Sequence, residues 1–288
     1  MERRTKSYLQ LIKPGITLSN TLSGIAGFFL AASVVSFSIG AFIGSACGIA
    51  LIIASACVAN NVLDRDIDTR MKRTKKRDVA NGTISISNAL LFAAVLGVAG
   101  FVFLLLLTNL VTLLLGVLAY IWYVAIYGIA KRTTPYSTII GGVAGALPPM
   151  AGYTALTGQI DMAAILIFLI LFFWQLPHFY AISMFRKDDY ANANIPVWAV
   201  KHGMKSTKLQ IFISVILYAI VVSLLFFFGY VGIIYLVLSS ALSIYWIYKG
   251  ISLYKKVDYV KWARSMFGVS LLVLLSMLAL ISVGGFVV

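Results

Sequence analysis

The chain has 288 residues, 61% apolar and only 11% charged, with a mean hydropathy of +0.98, which excludes a soluble domain. A net charge of +14 would invite a nucleic-acid reading, but the basic residues are confined to the N-terminus and to alternate loops, so no nucleic-acid partner is expected. Lipid is the solvent, every backbone amide must be paired within the protein, and long continuous apolar runs select helices over the alternating strands of a barrel. The fold class is therefore all-α and polytopic.

The first 15 residues are basic and contain a proline, and no small-residue cleavage site follows; no removable signal peptide is expected. Apolar runs then appear at 16–35, 39–62, 88–108, 110–130, 138–157, 162–183, 210–229, 231–248 and 266–286. Each is long enough to cross hydrocarbon roughly 30 Å thick at about 1.5 Å per residue. Weak breaks at Val34 to Ser38, at Thr108-Asn109 and at Gly229 to Gly232 set the count between seven and nine spans. Cys47 and Cys57 fall in one run and read as small apolar residues, not as a disulfide or metal framework.

Charge decides for nine. All 23 Lys and Arg residues lie at the N-terminus (Arg3, Arg4, Lys6, Lys13) or in four alternate loops: Arg65 to Arg77, Lys131-Arg132, Arg186 to Lys208 and Lys249 to Arg264. Asp161 is the only charge in the remaining loops. The positive-inside rule then puts the N-terminus and the basic loops in the cytoplasm and the C-terminus outside, in a bacterial inner membrane. The two longest cytoplasmic loops, after spans 2 and 6, both open with acidic residues, a faint sign of two four-helix halves with a ninth helix appended. A single domain over 1–288 is expected, with no linker.

Span 2 closes on Asn60-Asn61-Val62-Leu63-Asp64-Arg65-Asp66-Ile67-Asp68. Asn60, Asp64 and Asp68 recur every four residues and share one helical face, neighbours about 5–6 Å apart. Acids at a helix C-terminus oppose its dipole, so they need another reason to be there. An Asp pair facing a cavity can share magnesium, which is held by one or two carboxylates together with substrate phosphates. The basic run Arg70 to Arg77 follows; it fixes topology and also supplies the cations a diphosphate needs as its negative charge develops. Lys72 and Arg73 are the candidates from this run, joined by Lys131 and Arg132 from the next cytoplasmic loop.

Span 5 contains Gly141-Gly142 and Gly145 followed by Pro148-Pro149, and the paired prolines are expected to break the helix at a cavity wall. Span 6 ends in Trp174-Gln175-Leu176-Pro177-His178-Phe179-Tyr180, then Phe185-Arg186-Lys187-Asp188-Asp189-Tyr190. Trp174 and His178 share a face, and Pro177 can bend the helix beside them. An ionisable group inside a span is a functional candidate unless a neighbouring hydroxyl merely satisfies it. Arg186 adds another cation for a diphosphate, and Asp188 and Asp189 are candidates for further metal contacts. His202 reads as solvated.

Together these residues resemble the intramembrane prenyltransferase superfamily, and within it the haem-farnesylating family, almost end to end. The carriers are Lys13-Pro14-Gly15, Asn60-Asn61, Asp64 to Asp68, Arg73-Thr74-Lys75, Lys131-Arg132, Gly141-Gly142 through Pro148-Pro149, Trp174 to His178, Phe185-Arg186 and Asp189-Tyr190. The resemblance implies nine helices around a central cavity open to the cytoplasm, magnesium dependence, and transfer of a farnesyl group from farnesyl diphosphate to a vinyl group of haem B. It further implies haem O as product and a haem-copper oxidase or haem A synthase as acceptor. The superfamily's first motif reads Asn-Asp-x-x-Asp-x-x-x-Asp; Asn60, Asp64 and Asp68 fit it, while Asn61 stands where it has Asp. Its second motif is richer in Asp than Arg186 to Tyr190.

A vinyl nucleophile would leave a second cation for water to capture, which needs a dry aromatic cavity. Trp174, Gln175, Phe179 and Tyr180 are the expected walls of that cavity. His178 is then either an axial ligand to haem iron or the acceptor of a proton from the entering water. A transporter would instead bring charge toward the bilayer midplane, and a haem-holding assembly factor would use His178 but have no need of paired carboxylates.

Overall fold

The computed structural model describes residues 2–287, with side chains from Ser7 onward; the side chains of Arg3, Arg4 and Lys6 lie outside the described residues. A short helix α1 (Glu2–Leu11) is followed by α2 (Pro14–Ala32), α3 (Ile39–Leu63), α4 (Arg65–Arg70) and α5 (Ile86–Leu107). Next come α6 (Leu110–Ile121), a π-helical turn (Trp122–Ile126), α7 (Tyr127–Thr133), α8 (Ser137–Thr157) and α9 (Met162–Phe185). Two short helices, α10 (Lys187–Asn192) and α11 (Trp198–Lys201), lead to α12 (Gly203–Phe227), α13 (Ile233–Ser252) and α14 (Tyr259–Gly284).

Nine of these segments among the described residues are long and apolar enough to span a membrane: α2, α3, α5, α6 through α7, α8, α9, α12, α13 and α14. Ser38, Ser85, Asn109, Asp161 and Asp258 start five of them, each accepting a backbone N–H of the first turn, which satisfies donors that lipid cannot. Large apolar side chains such as Leu91, Leu106, Leu110, Ile244 and Leu275 are exposed, as a lipid-facing surface requires.

Two expectations are corrected. Helices α12 and α14 begin at Gly203 and Tyr259, so Lys205, Lys208, Lys261 and Arg264 sit in helical turns rather than in loops. Long lysine stems let a helix run past its apolar stretch. Lys208 goes further: its Nζ donates to Tyr254 O at 2.9 Å and lies 4.2, 4.9 and 4.6 Å from the rings of Tyr254, Tyr259 and Trp262. Cation–π attraction and one hydrogen bond replace its water.

The second correction concerns Pro148-Pro149, which lie inside an unbroken α8. Each proline removes one N–H from the ladder, which frees the carbonyls of Ala144 and Gly145 four residues earlier. Both of those residues line the cavity described below, so the prolines do mark its wall. Here α2 packs against α8 backbone to backbone: a Cβ on Gly27 would collide with the Pro149 carbonyl, and one on Gly152 with the Gly24 carbonyl. This seam fixes one wall of the central cavity.

Candidate active site

A cavity of about 590 Å³ runs between α2, α3, α4, the π-helical turn, α8, α9 and α14. One end of it is polar. Although α3 stops at Leu63, Asp64 N still bonds Asn60 O at 2.9 Å and Asp68 N bonds Asp64 O at 2.7 Å. The four-residue ladder thus continues through the junction, and Asn60, Asp64 and Asp68 all face the cavity. Lys13, Arg73, Arg77, Lys131 and Arg186 line the same cavity. Five cations against the two carboxylates leave an excess of positive charge, which suits a polyanionic group.

Both carboxylates are engaged by the protein's own cations. Lys131 pairs with Asp64, and Arg77 holds Asp68 with two bonds of 2.9 and 2.8 Å. Lys13, set in the left-handed region at φ 50° before Pro14, donates from Nζ to Asn60 Oδ1 at 3.2 Å. Burial lowers the Lys13 pKa to about 8. The other amide atom, Asn60 Nδ2, is buried with no partner, a donor with unused capacity beside the carboxylates. Asn61 turns away, donating to Leu11 O at 2.9 Å. Among the described residues, no three His, Cys, Asp or Glu side chains form a metal cluster. A pair of buried carboxylates facing a cavity, all hard oxygen donors, fits magnesium shared with substrate phosphates.

Arg132, expected at the cavity, does not line it, although its guanidinium lies 3.8 Å from Asp64 Oδ1. It makes two 2.8 Å bonds to Asp66, holding that carboxyl down at a pKa of about 2, and one of 2.6 Å to Leu63 O. Arg132 and Asp66 thereby fasten α7 to the start of α4. Lys72 does not line the cavity; its backbone N–H is bonded to Asp189 Oδ1 at 3.3 Å. Asp189 is buried and Asp188 exposed, and neither reaches the Asp64 and Asp68 face. The reason is local: both lie in the first turn of α10, where Asp189 ties the basic loop after α4 to the segment after α9. Tyr190, next to it, does line the cavity, and burial raises its pKa.

The other end is aromatic. Trp174 and His178 stack at 5.1 Å, Phe267 of α14 lies 4.7 Å from the imidazole, and Phe179 also reaches the cavity. His178 Nδ1 is 2.8 Å from Ser270 Oγ, and Trp174 Nε1 donates to Ser270 O at 2.8 Å. Gln175 lines the wall and donates to Gly142 O at 2.7 Å; a Cβ on Gly145 would strike its amide. Tyr180 is buried outside the cavity. The π-helical turn presents Tyr123, and the start of α7 Tyr127, stacked at 5.6 Å on a further wall; such bulges are frequent at functional sites.

Sequence reasoning passed over Arg77, Lys13, Tyr123, Tyr127 and Ser270 as site residues. Arg77 was at least signalled by membership of the basic run beside the Asp face. A bond between residues 178 and 270 has no local signature.

The UbiA prenyltransferase family model matches residues 20–278. The chain is 42% identical to protoheme IX farnesyltransferase 1 of Shewanella sp. (strain W3-18-1), over 95% of this chain and 87% of that one. It is 40% identical to protoheme IX farnesyltransferase 2 of Pseudomonas fluorescens (strain Pf0-1), over 96% and 94%. Among solved structures, a digeranylgeranylglyceryl phosphate synthase superimposes with a TM-score of 0.81 at 22% identity, covering 99% of both chains. A UbiA homolog from Archaeoglobus fulgidus bound to GPP and Mg2+ does so with a TM-score of 0.69 at 17% identity, covering 96% of this chain and 99% of that one.

Proposed function

Because the chain belongs to the UbiA prenyltransferase family, we propose that it moves a farnesyl group from farnesyl diphosphate to a vinyl carbon of haem B, with addition of water, giving haem O and diphosphate. The observation that carries this reading is one cavity with a cation-rich carboxylate end and an aromatic end containing His178. Ionisation and alkylation need those two environments side by side.

Lys13, Arg73, Arg77, Lys131 and Arg186 take the diphosphate oxygens, and Asn60 Nδ2 has a donor to spare for them. Asp64 and Asp68 would hold magnesium, and the ion would supply positive charge for the leaving diphosphate. Release of either carboxylate from its lysine or arginine frees that cation for phosphate, so the two ion pairs keep Asp64 and Asp68 neutralised until substrate arrives. The allylic C–O bond breaks, and the farnesyl carbon bonds the terminal vinyl carbon. The cation left on the inner vinyl carbon is captured by water, which then loses a proton. Tyr123, Tyr127, Trp174 and Phe179 wall the cavity, stabilise cations through their ring faces and limit water.

We place the basic loops and N-terminus in the cytoplasm and the C-terminus outside the bacterial inner membrane, with a haem-copper oxidase or haem A synthase as consumer of the product. Reporter fusions after Asp161 and at the C-terminus should both read as external. The decisive assay incubates purified protein with haem B, magnesium and farnesyl diphosphate and looks by mass spectrometry for a hydroxyethylfarnesyl porphyrin. Farnesylation of some other acceptor, with haem untouched, would overturn the substrate.

A further inference from the structure

Ser270 has one hydroxyl hydrogen and two close neighbours. Its Oγ lies 2.6 Å from Phe267 O and 2.8 Å from His178 Nδ1. Two oxygens at 2.6 Å repel unless a hydrogen lies between them, and a carbonyl has none to give, so the serine hydrogen is committed to Phe267 O. Nδ1 must therefore be the donor to Ser270 Oγ, which selects the tautomer of the neutral imidazole whose free lone pair is on Nε2. Among the described residues Nε2 makes no hydrogen bond, and His178 lines the cavity while Ser270 lies behind it, fully buried.

The surroundings choose among uses for that lone pair. Trp174 and Phe267 hold the ring between them, and Phe179 meets it edge-on at 5.2 Å. On the Nδ1 side the chain of hydrogen bonds ends at the Phe267 carbonyl, so no proton can be passed onward from the ring into the protein. A base that must discharge at every turnover is poorly served by this arrangement, whereas a fixed nitrogen donor facing an apolar cavity is what a haem iron binds.

We propose that Ser270 is a positioning residue of the porphyrin subsite, holding His178 so that Nε2 is presented to the iron of an iron porphyrin. This rests on the reading of haem as substrate. It also predicts discrimination between iron porphyrins and metal-free porphyrins, which share the same vinyl groups.

The test uses the purified full-length protein with Ser270→Ala, Ser270→Thr and His178→Ala, titrated in parallel with ferric haem B and with iron-free protoporphyrin IX. Ser270→Ala retains the backbone carbonyl that Trp174 bonds, so the packing of α9 on α14 is kept. The wild type should show the absorption spectrum of a histidine-bound iron. Ser270→Ala should change that spectrum and weaken haem binding about 10-fold, Ser270→Thr should restore both, and His178→Ala should lose the spectrum. Binding of the iron-free porphyrin should be the same in the wild type and in both Ser270 variants. An unchanged spectrum in Ser270→Ala, or an equal loss for the iron-free ligand, overturns the proposal, the second by reducing Ser270 to packing. A wild type that farnesylates haem without a histidine-bound spectrum overturns the inference and leaves the function intact; one that neither binds nor alkylates haem removes the function itself.

Discussion

The segments after α3 and after α9 look alike in sequence: each follows a span and places aspartates among arginines and lysines. The structure uses them differently. After α3 the i, i+4 ladder persists across the helix end, so Asp64 and Asp68 stay on one face and that face meets the cavity. After α9 the chain starts a new helix at Lys187, which turns Asp189 onto the amide of Lys72 and leaves Asp188 exposed. Acidic residues at a span's end become a site only when the backbone keeps them in register with a cavity that also holds unspent cations.

Mutations at the two segments should therefore differ sharply. Asp64→Ala or Asp68→Ala should lower kcat at least about 100-fold by removing a ligand of the metal ion proposed to offset the diphosphate charge. Retention of normal turnover by either variant at limiting magnesium would dissolve the distinction drawn above. Arg77→Ala should follow with a loss of about 2 kcal/mol in detergent stability, because Asp68 is left buried with its two bonds gone. Thermal unfolding of that variant measures it, and no change in Tm would mean that water replaces the arginine.

A smaller effect is expected from pH. Lys13, with a pKa lowered to about 8 by burial, is charged below that pH and neutral above it. The KM for farnesyl diphosphate should rise as pH passes through about 8, and the rise should vanish in Lys13→Met, whose KM is high throughout. Asp189→Ala should cost about 1 kcal/mol by uncapping the Lys72 amide, with Asp189→Asn recovering most of it through the remaining oxygen. Asp188→Ala, the smallest perturbation, should leave kcat within about twofold of the original. A large loss there would return the second acidic segment to the chemistry.

What the sequence made legible were features with a local period. Apolar runs of bilayer length gave nine spans, and the four-residue spacing of Asn60, Asp64 and Asp68 gave one face of the site. Trp174 over His178 was visible for the same reason. Properties set by distant partners were not visible. The bond of Arg132 to Asp66, 66 residues away, had no local signature, and a charge near a cavity looks the same in sequence whether it is spent or free. The main-chain contact of α8 with the glycines of α2 joins residues more than 100 apart, and the aromatic enclosure of Lys208 in α12 comes from beyond residue 250. The serine behind His178 belongs to the last span, and nothing within α9 announces it.

The contact of α2 with α8 has a mechanical meaning. Where Gly24, Gly27 and Gly152 let main chain rest on main chain, no side chain remains that could change rotamer to take up a displacement. The two helices are joined like a dovetail, stiff in the direction along which a cavity would have to widen between them. Any widening of the cavity therefore falls to walls lined by other side chains, such as Ile182 of α9 and Leu274 of α14, while the dovetail keeps Pro148 and the freed carbonyls of α8 in place on the opposite helix pair.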